Sequence, residues 1–117
     1  MRTKGKSTTA AQKRWMDRVA SHGSVVSGAP LVVLHHATGM AALHNKVLIG
    51  PWWILPLTPE EHYNIHSDLD MFRCEVFEWQ CLTRKELEKK LFKEMVERIG
   101  MNELPVEVYE SIQGYRR

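Results

Sequence analysis

Residues 31–66 constrain the fold of this chain more than any other stretch, because they run strand, His-His, loop, strand, and then a capped helix carrying His-x-x-x-His. Gly28-Ala29-Pro30 is a turn signal, and Leu31-Val32-Val33-Leu34-His35-His36 reads as a short buried strand rich in β-branched residues. Gly and small residues break up positions 37–50 into a loop. Trp52-Trp53-Ile54-Leu55 reads as a second strand, and Pro51 and Pro56 on either side make it short and place it at an edge. Thr58-Pro59-Glu60-Glu61 then starts a helix, with Thr58 as N-cap, Pro59 at the first helical position and Glu61 completing a capping box. A two-stranded hairpin lying across a helix sets the class at α+β, with four or five helices around the hairpin.

The remaining helices follow from caps and apolar spacing. A first helix is expected from about Thr9 to Ser21, with Thr8 or Thr9 as cap and Gly23 as terminator. Ala11, Trp15 and Val19 repeat at helical spacing and should face the core, leaving Lys13 and Arg14 outside. Asp68 or Asp70 can restart a helix through Met71–Gln80. Thr83-Arg84-Lys85-Glu86 is a second capping box and opens a helix over Arg84–Ile99, with Leu87, Leu91, Met95 and Ile99 on one face and Gly100 after it. A last short helix is expected from Pro105 to before Gly114. At 117 residues the chain is long enough for one domain. Residues 1–8 read as a flexible basic arm and residues 9–117 as a single domain with a C-terminal helical extension.

The net charge of +2 conceals an asymmetry. Residues 1–50 carry +6, with Asp17 as their lone acid, and residues 51–117 carry −4. A positive arm on a balanced body suits a polyanion such as nucleic acid, and charge alone leaves a solubilising tail equally open. No apolar run is long enough to span a bilayer, so no membrane is expected. Two cysteines, Cys74 and Cys81, do not make a disulfide framework, and the natural setting is a reducing cytoplasm.

Among six histidines the arrangement matters more than the count. His62 and His66, four apart, share one helix face. His35-His36 ends a strand, and a hairpin across the helix can bring it beside that pair. Imidazole is a neutral nitrogen ligand suited to zinc and other borderline metals, and three imidazoles leave open positions for water and a phosphate oxygen. One histidine of the doublet can face the metal while its neighbour, with a pKa near neutrality, stays free to accept a proton. The same His-x-x-x-His spacing occurs in zinc proteases, which need Glu directly after the first His. Tyr63 stands there, so protease chemistry fits poorly. His22 and His44, taken singly, read as surface or helix-end residues.

On these residues the chain resembles the HNH, or ββα-metal, nucleases, and within them the phage recombination-enhancement nucleases of the Ref type, which act with RecA filaments. The resemblance covers roughly residues 12–92. It includes Lys13-Arg14-Trp15, Gly23 and Gly28, His35-His36 with Thr38-Gly39, Leu55-Pro56-Leu57, His62 with His66, and Phe77-Glu78 to Thr83. It implies one divalent ion (Mg, Mn or Zn) held by His35, His62 and His66, with His36 as the general base that takes a proton from the attacking water. It implies DNA as partner, contacted through Lys13, Arg14, Arg18 and Lys46, with Arg73 a weaker candidate. A RecA-type recombinase filament is a further candidate partner, and the setting is the cytoplasm of a bacterial host. Three departures stand out. The zinc-knuckle cysteines of many relatives are replaced by Gly23–Gly28 and Thr58–Glu61, so core packing must substitute. The middle Asn of the motif falls near Trp53, with Asn45 in the loop. Glu61-His62 stands at the start of the helical pair, which makes Glu61 a capping or supporting residue.

The expected function is a metal-dependent DNA endonuclease or nickase, phage- or prophage-encoded, with low sequence specificity. The alternative is a non-catalytic DNA-binding recombination accessory protein on a degenerate HNH fold. A small helical interaction protein with incidental histidines is a third reading, and it requires that the histidines do not converge.

Overall fold

The computed structural model describes residues 9–37, 52–75 and 82–113. The arm 1–8, Asn45, Lys46 and the continuation of the third helix toward Gln80 lie outside them. In chain order the elements are α1 (Ala10–His22), β1 (Val33–His36), β2 (Ile54–Leu57), α2 (Pro59–Ser67), α3 (Leu69–Glu75), α4 (Arg84–Ile99) and α5 (Val106–Gln113). Mixed helices and a two-stranded antiparallel sheet make the class α+β, as expected. Among the described residues no helix is long and apolar enough to cross a membrane.

Reciprocal capping boxes begin three helices: Thr9 with Gln12, Thr58 with Glu61, and Thr83 with Glu86. Each satisfies two backbone N–H groups that the first turn leaves without partners. Gly23 ends α1 at φ 81°, where an added Cβ would lie 3.0 Å from the Ala29 carbonyl oxygen, so the turn to Ala29 requires glycine.

Burial of the two strands is the reverse of the sequence expectation. Leu31 is exposed outside the strand, and within β1 Val33 and His36 are exposed while His35 is buried. All four residues of β2 are buried. The reason is that α1 and α4 pack against β2, while β1 forms the outer edge. Pro56 lies inside β2, opposite Leu34, rather than beyond its end. Its carbonyl accepts from Val25 N at 2.9 Å, on the side away from β1. A residue's N–H and C=O point the same way in a strand, so the missing N–H of Pro56 takes nothing from the ladder.

One apolar cluster joins the elements. Trp15 of α1 is fully buried, meets Trp52 at 6.5 Å and Phe92 of α4 at 6.4 Å between ring centroids, and donates its indole N–H to the Trp52 carbonyl at 3.0 Å. Leu87, Leu91 and Met95 of α4 are buried as expected, and Ile99 packs against the cluster from its margin. Replacing Trp15 with Ala should cost about 3–5 kcal/mol of stability. Urea denaturation checks this, and a loss below 1 kcal/mol would mean that α1 is not a wall of this core.

Ser24 and Glu61 fasten the turn after α1 to the start of α2. Ser24 Oγ donates to Glu61 Oε1 at 2.6 Å and accepts from the Val26 and Ser27 amides, while Glu61 Oε1 also accepts from Thr58 N. Glu61 is thus a capping residue that also anchors the 24–29 turn.

Candidate metal centre

His35 reaches the centre because alternation along β1 turns it inward, opposite Leu55, while His36 after it turns out. His62 and His66 come from successive turns of α2, whose position is set by the Thr58 cap directly after β2. Ring centroids of His35–His62, His35–His66 and His62–His66 lie 5.3, 4.9 and 4.9 Å apart. One ligand atom from each of the three lies within 4.8 Å of the others. Nitrogens bound to one tetrahedral ion at about 2.0–2.1 Å stand roughly 3.3 Å apart, so modest side-chain rotations close the set.

His35 is the anchor. It is 1% exposed, and its Nε2 lies 2.6 Å from Oε2 of Glu88 on α4. With the proton on Nε2, that nitrogen donates to Glu88 and Nδ1 keeps a lone pair. Nδ1 is buried and finds no hydrogen-bond partner among the described residues. A buried acceptor without a donor is costly, and an ion ligated there satisfies it. A carboxylate on the far nitrogen of a ligating imidazole fixes the tautomer and raises its basicity. The donor set therefore fits a divalent cation.

In the sequence the apolar stripe of α4 hides Glu88. The available signal was its position. Glu88 falls between Leu87 and Leu91 on the inward arc, where a carboxylate needs a buried partner.

His62 and His66 both titrate below the ordinary histidine value. For His62 the causes are loss of solvent first, then the nearby charges of His35, His66 and His36. For His66 they are loss of solvent, then His35 and Arg84, partly offset by Glu88. Both rings are accordingly neutral, and free to ligate, at neutral pH. The unfolded chain takes up these protons first as pH falls from the ordinary value near 6.5, so the metal-free protein loses stability from there down to the folded-state pKa values. Its melting temperature should drop between pH 7.5 and 5.5, and His62→Gln should flatten the slope. An unchanged slope would mean that His62 does not titrate as its surroundings require.

His36 is exposed, stands outside the three-ring set, and lies close enough for its charge to act on His62. Lys13, Arg14 and Arg18 lie on the exposed side of α1. Arg14 Nε and Arg18 Nε both pair with Glu103, at 3.3 and 3.5 Å, tying α1 to the segment after α4. Arg73 donates to the Leu82 carbonyl and pairs with Asp70, fastening α3 to the start of α4. His22 is a helix-end residue as expected, bonded to the Gly23 carbonyl and to Arg98. Trp53 is buried, and its indole nitrogen has no partner among the described residues.

Compared with models of known protein families, with curated proteins and with solved structures, the chain matches none.

Proposed function

We propose that this protein is a metal-dependent phosphodiesterase of the HNH, or ββα-metal, type that cuts or nicks DNA. The observation that carries the reading is the convergence of His35, His62 and His66 where a hairpin meets a helix, with the free Nδ1 of His35 backed by Glu88. A divalent ion held there supplies Lewis-acid stabilisation to the charge that builds on the phosphate and the leaving oxygen. His35 is held by Glu88, and modest rotations of the α2 pair close the donor set. His36, exposed beside His62, takes the proton of the attacking water at an imidazole nitrogen. The donor set is all imidazole, which favours borderline ions such as Zn²⁺, with Mn²⁺ next and Mg²⁺ least. A role in phage or prophage recombination with a RecA-type filament, in the bacterial cytoplasm, rests on the resemblance of residues 12–92.

Supercoiled plasmid and single-stranded DNA, incubated with the protein and Mg²⁺, Mn²⁺ or Zn²⁺, test the proposal, with a RecA-type filament as a further substrate. The expected result is nicking that EDTA abolishes and a transition ion restores. DNA binding without cleavage under every condition would favour the accessory-protein reading.

A further inference from the structure

The metal centre has a second charge feature that its ligands do not explain. Arg84 is the first residue of α4, directly after the Thr83 cap. A cation there stands against the positive end of the helix dipole, an arrangement that costs a helix stability unless an anion is nearby. Arg84 lies four residues before Glu88, so the two share a helix face one turn apart. Glu88 is not available to it, because its carboxylate is turned to His35. Among the described residues Arg84 makes no hydrogen bond and no ion pair, and it is exposed. Glu88 lies 2.6 Å from His35, so Arg84, one turn before it on the same face, stands at the edge of the imidazole set.

The rim of the centre is thus built from Arg84, the α4 N-terminus, His36 and the α2 imidazoles. Its nearby carboxylate, Glu88, is buried and already committed. A divalent ion adds further positive charge. Such a rim is complementary to an anion, and a planar guanidinium can bind two phosphate oxygens at once. The other arginine pair on α1 is held by Glu103, in the segment after α4.

We infer that Arg84 is the substrate-positioning residue of this centre, holding the DNA phosphate that faces His35, His62 and His66. The inference rests on the phosphodiesterase reading. It assigns the scissile phosphate to Arg84 and leaves Lys13, Arg14 and Arg18 to phosphates further along the strand.

The test is fluorescence anisotropy of a labelled 20-nucleotide DNA in EDTA, titrated with native protein, Arg84→Ala, Arg84→Lys and the neighbouring Lys85→Ala over a range of salt concentrations. Zinc calorimetry on each protein runs in parallel. Arg84→Ala should weaken binding about 10-fold at low salt and lower the slope of log K against log salt by about one. Arg84→Lys should keep that slope, and Lys85→Ala should change less than Arg84→Ala. Zinc affinity of Arg84→Ala should be at least that of the native protein, since a like charge beside His66 has been removed. Native binding with an unchanged Arg84→Ala, or a parallel loss of zinc affinity, would overturn the inference and leave the phosphodiesterase reading standing. No DNA binding by the native protein would overturn both.

Discussion

Replacing His36 with Ala is expected to slow DNA cleavage about 10²–10⁴-fold, the usual contribution of a positioned general base. Zinc affinity and melting temperature should stay within experimental error of the native values. The separation follows from placement. His36 ends β1 with its side chain in solvent, makes no hydrogen bond among the described residues, and lies outside the set of three candidate ligands. Removing it leaves neither a cavity nor a buried group without a partner, so the folded state has little to lose. It directly follows His35 in β1, which puts it beside the centre without making it part of it. Chemical rescue supplies a readout that a structural role would not move: added imidazole should restore part of the rate. Equal rates for the two proteins would remove His36 from the chemistry.

Glu88→Ala should act in the opposite way, on the metal and the fold before the chemistry. Losing the carboxylate leaves His35 Nε2 buried with no acceptor, a penalty of about 1–3 kcal/mol. It also frees the ring to rotate and to change tautomer, and partners of this kind are typically worth about 10–100-fold in metal affinity. Glu88→Gln keeps an acceptor oxygen at nearly the same place, so it should recover most of the stability. It removes the negative charge that raises imidazole basicity, so zinc affinity should stay below native. Calorimetric zinc titration and urea denaturation of the two variants check both halves. A Glu88→Ala protein that binds zinc as tightly as the native one would show that the 2.6 Å contact has no part in the centre.

Much of this arrangement is written in local sequence, and the parts that are not share a cause. Thr58-Pro59-Glu60-Glu61 gave both the start of α2 and the common face of His62 and His66, because capping and helical period act over a few residues. Thr83 and the apolar spacing likewise gave α4 over Arg84–Ile99. Strand burial did not follow from composition. The β-branched run 31–36 supplies the outer strand over Val33–His36, and the Pro-containing 54–57 is the inner one, because α1 and α4 choose which strand they cover. The partners of His35 and of Arg14 were illegible for the same reason. Glu88 is 53 residues away from the first and Glu103 is 89 residues away from the second, and no local rule links them. Arg14 and Arg18, expected at a phosphate, also pair with a carboxylate of the chain itself.

The measurement that tests the central claim most directly is zinc binding by the native protein and by His66→Ala, with X-ray absorption on the zinc-loaded native sample. The account predicts one ion per chain, a melting temperature that rises with zinc concentration by mass action, and three imidazole nitrogens at about 2.0–2.1 Å. It predicts sharply weaker binding in the variant. Zinc that fails to bind, or that binds equally well without His66, would contradict it.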